Sequence, residues 1–352
     1  MLRACVQSCV LLMLLLPIAA DSNIYNVYNY DTTTPQFTPD GFLKQVEYAS
    51  SAITHSQPMI VLPLVFDTDP GAVVIMGTIS KKQPFQRGQS RFVEMQLAPF
   101  SPLSEPSVGS SVVLGLSGII PDSVSLVQVA RRRLREWQSM YGRYRPFFWP
   151  GSDIRSSSYR CGSAAACRAA EGVSSAIAET CYERSLGGGI RPFGSLVAAC
   201  AVDRGEAVVA VSNPSGATMS FRQTSGQESV PGLDVLVIGG EQNIGNMIRR
   251  EILDKIHDST GAPSAIRNDR DALCLIQRCL GLVAQSLTEV QGKYDETSVK
   301  GAMEGGSSEG KDKDDVDIIS RYIDLVLITP GGVHRLNENQ VANLLRLQPS
   351  TD

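Results

Sequence analysis

Three histidines (His55, His257 and His334) and eight cysteines are the side chains best suited to metal or thiol chemistry in this 352-residue chain. Their number and spacing support little of it. So few histidines leave no room for a multi-histidine metal site, and no Cys-x-x-Cys pair offers half of a zinc site. Cys5, Cys9, Cys161, Cys167, Cys181, Cys200, Cys274 and Cys279 fall mostly in apolar runs, where a free thiol packs as a small hydrophobe. They read as reduced core thiols. The sequence therefore implies neither metal nor cofactor. The run Arg131-Arg132-Arg133 could meet nucleic acid. It reads better as a solvated helix face or a subunit contact.

The overall charge points the same way. Lys plus Arg is 32 against 36 for Asp plus Glu, a formal net charge of −4. Such a chain has no global field to attract nucleic acid or an anionic membrane. Residues 1–20 are the exception to a plain globular reading. Arg3 precedes an apolar stretch over residues 9–20 that ends in Ala19-Ala20, the pattern of a secretory leader. The stretch is short for a membrane span. Ile18 stands where a cleavage site prefers a small residue.

The elements that would position any site follow from the hydrophobic period. Residues 21–41 are polar and aromatic without a period and read as a tail. A short helix is expected over 42–54, with Asp40 as N-cap and Leu43, Val46, Ala49 and Ile53 on one stripe. Strands are expected at 59–66, 72–79, 91–97 and 112–116. A helix follows over 122–141, its stripe being Val124, Val127, Ala130, Leu134 and Trp137, and an Ala-rich helix over 161–185. A second block of strands is expected at 195–202, 207–213, 217–222 and 235–239, then helices at 243–257 and 271–287. Residues 291–317 are rich in Gly, Ser, Glu, Asp and Lys and read as a low-complexity insertion. A strand at 322–328, a Pro330-Gly331-Gly332 turn and a helix from Asn337 close the chain, with Gln340 completing a capping box. Runs of strands alternating with pairs of helices suggest an α+β fold with two antiparallel sheets between helical layers. The expected organisation is a leader at 1–20, a tail at 21–41 and one domain over 42–350 with an insertion at about 291–320.

One set of motifs is far more specific than the rest. Tyr30-Asp31, then Phe37-Thr38-Pro39-Asp40-Gly41, then Gln45-Val46-Glu47-Tyr48-Ala49 resembles the N-terminal signature of proteasome alpha subunits. The likeness continues through Leu116-Ser117-Gly118, Pro121-Asp122, Ile190-Arg191-Pro192-Phe193-Gly194, Asn213-Pro214-Ser215-Gly216, Gly239-Gly240 and Gly332-Val333-His334-Arg335-Leu336. It covers roughly residues 23–346, apart from stretches near 98–110, 142–160 and 291–320. Gly188-Gly189 before Ile190, Pro121-Asp122 and Lys81-Lys82-Gln83 lie nearest the alpha type-2 branch.

The resemblance implies the four-layer αββα sandwich of N-terminal-nucleophile hydrolases and a non-catalytic place in the alpha ring of the 20S core. The implied partners are neighbouring alpha subunits in a heptameric ring, beta subunits and a regulatory particle or other activator, in cytoplasm and nucleus. The leader would instead suit a divergent secreted or organelle-lumen paralogue outside the particle. The residues themselves disfavour catalysis. A beta subunit needs a processed Thr whose free amine serves as base. No Gly-Thr processing site lies near residue 57, and the second strand lacks the Asp and Arg of catalytic subunits. Ser22, exposed by late leader cleavage, lies far upstream of the nucleophile's place.

By the same resemblance, Tyr30, Asp31, Pro39 and Tyr48 form a gate cluster that orders the tails. Gly41, Gln45, Glu47, Arg191, Pro192, Phe193 and Gly194 are signature positions. Thr32 replaces the usual Arg after Tyr-Asp, which removes any salt link made there. The activator pocket normally carries a Lys for an incoming carboxylate. Either Arg91 replaces it, keeping a cation with bidentate geometry, or Phe92 takes the place and the charge is lost.

Overall fold

The computed structural model describes residues 37–38, 40–66, 71–79, 90–97, 111–141, 165–187, 191–203, 205–224, 235–260, 269–299, 320 and 322–346. The leader, most of the tail with Tyr30, Asp31 and Pro39, and the acidic stretch 300–319 lie outside them.

Two five-stranded antiparallel sheets carry the fold. The first has the order β10-β9-β2-β1-β8, the second β3-β4-β5-β6-β7. Their strands are β1 Met59–Val65, β2 Ala72–Ile79, β3 Phe92–Gln96, β4 Ser111–Gly118, β5 Ser195–Asp203, β6 Glu206–Ser212, β7 Thr218–Thr224, β8 Leu236–Ile238, β9 Ile323–Thr329 and β10 Gly332–Arg335. Among the described residues these helices accompany them: α1 Lys44–Thr54, α2 Ile120–Tyr141, α3 Ala165–Leu186, α4 Gln242–Thr260, α5 Asp269–Val299 and α6 Glu338–Arg346.

β2 is buried at every position, which explains its mostly apolar sequence rather than an alternating one. β1 pairs with β2 along its whole length but with β8 only at Met59, Ile60 and Val61. Pro63 follows two residues later; it has no N–H to extend a ladder. Three hydrophobic clusters follow from the two faces of each sheet. Met59, Val61, Val74 and Met76 of the first sheet meet Phe92, Val113, Cys200 and Val209 of the second. The other face of the first sheet, with Ile60, Leu62 and Ile75, packs with Ile248 and Ile252 of α4 and Val283 and Leu287 of α5. The other face of the second sheet, with Leu114, Val197 and Val208, packs with Leu126 and Leu134 of α2 and Val173 and Ile177 of α3.

Two expectations are corrected. Asp40 does not cap α1: Leu43 occupies the N-cap position without a side-chain cap. Thr38 organises the approach instead. Its N–H donates to the Phe42 carbonyl, its carbonyl accepts from the Gly41 N–H, and its Oγ1 accepts from the Phe42 N–H at 3.1 Å. On α2, Val124 is exposed, and the buried stripe runs through Leu126, Val127, Ala130 and Leu134. α5 continues through residues 291–299, the first part of the stretch whose composition reads as an insertion. The capping box at α6 is present in part, with the Asn337 N–H donating to Gln340 Oε1 at 2.8 Å.

Candidate functional site

The signature residues converge beneath α1, at the end of the second sheet where β4 passes into α2 and β5 begins. Asp122 lies in the first turn of α2, where the helix dipole favours an anion. Arg191 approaches it with both guanidinium nitrogens, Nη1 to Oδ2 at 2.6 Å and Nη2 to Oδ1 at 2.8 Å. The Gly194 N–H donates to the same Oδ2 at 2.9 Å. Bidentate geometry of this kind fixes direction as well as charge. Burial by itself would raise the Asp122 pKa; the bonds from Arg191 and Gly194 outweigh it and hold the carboxyl below its ordinary value.

Around this ion pair the backbone is locked. The Ile119 N–H donates to the Gly194 carbonyl at 2.9 Å, and Ser195 and Ser123 both donate to the Ile119 carbonyl, at 2.7 and 3.1 Å. Ser123 Oγ also donates to Ser195 Oγ at 3.0 Å. Gly118 makes the crossing with φ +100°, and a Cβ there would collide with the Gly194 carbonyl. Phe193 is buried against α2 and α3, and the Arg184 guanidinium lies over its ring at 4.2 Å.

α1 is tied to this junction from above. Ser56 Oγ and Ser117 Oγ share a hydrogen bond of 2.7 Å, joining the end of α1 to the end of β4. The Gly240 N–H donates to the Ile53 carbonyl at 3.3 Å. Gly239, at φ +72°, leaves room for the two serines; a Cβ there would strike Ser117 Oγ. Sequence reasoning singled out Ser117 and the paired glycines but missed Ser56, Ser123 and Ser195 as members of one network. Their partners lie 61 to 76 residues away, and no periodic signal marks a polar contact of that kind.

Gln45, Glu47 and Tyr48 lie on α1. Lys44 Nζ and Glu47 Oε2 form a surface pair at 3.0 Å, while Tyr48 is about half exposed at 52%. Gly41, at φ +83°, closes the preceding turn. Arg191, Pro192, Phe193 and Gly194 gather at the junction. Arg91 lies just before β3, where its carbonyl accepts from the Leu116 N–H, and among the described residues it makes no bond to that set. Its guanidinium is half-buried, makes no ion pair among the described residues, and is pulled down in pKa by burial. Phe92, the alternative occupant of the Lys position, is 1% exposed and belongs to the cluster between the sheets. Arg335 Nη2 donates to its carbonyl at 2.7 Å, and Ser90 Oγ donates to Asp324 Oδ2 at 2.7 Å. These bonds fasten the start of β3 to β9 and β10.

Among the described residues no group of three or more His, Cys, Asp or Glu could hold a metal ion. Cys167, Cys181, Cys200 and Cys279 are free and buried, and Cys274 is free and exposed. Burial pushes the Cys181 thiol up to about 11 and that of Cys279 to about 12, far from a reactive thiolate at neutral pH. Cys5, Cys9 and Cys161 lie outside the described residues. Gln57 and Pro58 occupy the approach to β1, and β2 carries neither acid nor base.

No family model matches the chain. Two curated proteins are similar to it. One is the proteasome subunit alpha type-2 of Caenorhabditis elegans, 26% identical over 200 residues, which span 56% of this chain and 68% of that protein. The other is the proteasome subunit alpha type-3 of Dictyostelium discoideum, 21% identical over 192 residues, spanning 54% of this chain and 62% of that protein. The matched stretch is thus just over half of this chain, and less than two thirds of the second relative.

Proposed function

We propose that this chain, a relative of the proteasome alpha subunits, serves as a non-catalytic alpha-ring subunit of a 20S core, shaping and gating the axial pore through which proteins reach the threonine protease. On this reading the two sheets and their helices form the four-layer αββα sandwich of N-terminal-nucleophile hydrolases, without the nucleophile. The observation that carries the proposal is the convergence under α1. Four separate signature segments, lying between residues 116 and 240, meet Ile53 and Ser56 at the end of α1 in one hydrogen-bonded junction. A catalytic beta subunit starts its chain where β1 starts here. This chain instead places α1 and its turn ahead of β1 and anchors them to β4 and β5.

Within that role Tyr30, Asp31, Pro39 and Tyr48 would form the gate cluster. Tyr48 offers flat area and a hydroxyl at the surface of α1, the chemistry a neighbour's carboxylate or tail can use. Arg91 would supply the cation of an activator pocket, its guanidinium having no carboxylate among the described residues. Neighbouring alpha subunits, beta subunits and activators would be the partners, in cytoplasm and nucleus. The test is affinity isolation of the tagged chain from its own cells, with its companions identified by mass spectrometry. Recovery of other alpha and beta subunits in near-equal amounts is expected. Recovery of the chain alone overturns the proposal.

A further inference from the structure

β7 is an edge of the second sheet and takes no part in the junction under α1. Its seven residues make it longer than the other edge strands, β3 with five, β10 with four and β8 with three. Natural edges are guarded against pairing by brevity, bulges, proline or lysine. β7 contains neither proline nor lysine, and its register with β6 runs unbroken from Thr218 to Thr224. Its one charge, Arg222, is drawn back onto Glu171 of α3 and Glu206 of β6. No residue of β7 is buried, so the strand stands outside the packed layers.

The direction of its backbone groups follows from the hairpin. The Asn213 N–H donates to the Ala217 carbonyl, so these two residues form a hydrogen-bonded pair. Such pairs alternate with non-bonded ones along an antiparallel ladder. Met219, Phe221 and Gln223 therefore bond to β6, while the N–H and C=O of Thr218, Ser220 and Arg222 point outward. Among the described residues no backbone group pairs with them there. At the opposite edge of the sheet Phe92 of β3 is served: its N–H donates to Ser90 Oγ and its carbonyl accepts from Arg335. Met219 and Phe221 share the face of Val209, a member of the cluster between the sheets, and Met219 is 63% exposed.

We propose that β7 pairs antiparallel with β7 of a second copy, about a two-fold axis at Phe221. The strand is its own complement, and an axis at Phe221 is the one that pairs its whole length. Ser220 of each copy then faces Arg222 of the other, two outward residues that exchange both backbone bonds. No arginine lies directly opposite an arginine, where like charges would repel. Phe221 meets Phe221 at the axis and Met219 gains cover, so apolar area leaves water as the backbone bonds form. An unrelated extended peptide would have to supply this alternation, which a second copy already carries. The inference does not depend on the ring role. A chain that joins a larger particle yet stays monomeric alone would sink this proposal and leave that one standing.

The test is sedimentation equilibrium of the purified full chain and of the variants S220P and S220K. β6 does not use the Ser220 N–H, so proline there spares the hairpin, while lysine there faces Arg222 of the other copy. Circular dichroism checks that both variants are folded. The wild type is expected to dimerise at micromolar concentration in about 0.05 M and about 0.5 M salt alike, because backbone bonds and not exposed charges hold it. Each variant should weaken the dimer roughly tenfold or more. Single cysteines in a C274S background check the register. F221C should cross-link to its own copy under mild oxidation, since opposed residues of a non-hydrogen-bonded pair lie about 4.5 Å apart between Cα atoms. M219C, which faces Gln223 in this register, should not. A monomeric wild type, a dimer that either variant retains at full strength, or F221C cross-linking no faster than M219C overturns the proposal.

Discussion

Arg191 shows how much one side chain does at the junction. It satisfies both oxygens of Asp122, leaving the carboxylate to accept the Gly194 N–H as well. Its own side chain is 59% exposed, so solvent screens part of the attraction. Arg191→Met is expected to cost about 1–2 kcal/mol in urea unfolding, because a mostly buried Asp122 loses its cation. The depressed Asp122 pKa adds a pH signature. Its contribution is complete above the unfolded carboxylate value and is lost as pH falls through the lower folded value. The wild type should therefore outlast Arg191→Met at pH 7, with the gap closing in acid. Asp203 has the opposite sign. Burial, then the facing Glu206, raises its carboxyl to about 6, against the opposing bonds from Cys167. Nearby Arg222 is held by Glu171 at 2.8 Å and Glu206 at 2.7 Å. The stabilisation from protonating Asp203 is full below the unfolded value and lost as pH rises through about 6. Asp203→Asn should thus gain about 1–3 kcal/mol relative to wild type at pH 7.5, and little at pH 4, in thermal unfolding followed at both values. An equal change at both would show that Asp203 is not the titrating group.

At the scale of elements, α1 is the piece through which the junction would act on the pore. It is short, buries only Ala49 and Ile53, and is held at its C-terminal end by Ser56 and Gly240. Tyr48→Ala should leave that anchorage and the melting temperature nearly unchanged, within about 0.5 kcal/mol for an exposed site. In assembled particles it should lower activator-stimulated peptide hydrolysis severalfold while covalent labelling of the catalytic threonines is unchanged. Equal stimulation in variant and wild type would remove Tyr48 from the gate. Much of this framework was legible in the sequence. The limits of β2 coincide with a mostly apolar run of eight residues, and residues 195–202 fall within β5 because burial leaves a continuous signal. Other features were not legible, for physical reasons. The tail of α5 carries no apolar stripe, yet helix propagation costs little once a long buried segment has nucleated it. Val124 fitted the 3.6-residue period as well as Leu126 did, and only packing against β4 and β5 separates them. Ser56 and Ser123 gave no signal because a single serine is as common in turns as in buried networks.

For the whole molecule, the arrangement of faces matters more than any single site. The first sheet is sealed by α4, α5 and α6, and the second by α2 and α3. Polar bonds fasten the sheet pair at the end that carries α1: the α1 junction itself, and Ser90–Asp324 with Arg335–Phe92 beside it. Such a body offers its helical flanks to neighbours. The central claim is that it works as one subunit of a larger protease. The most direct measurement is native size separation of an extract from its own cells, with each fraction probed for this chain and for threonine-type peptidase activity. The account predicts that the chain peaks with that activity in a particle many times its own 37.9 kDa. A chain found only in small fractions, apart from the peptidase, would contradict it.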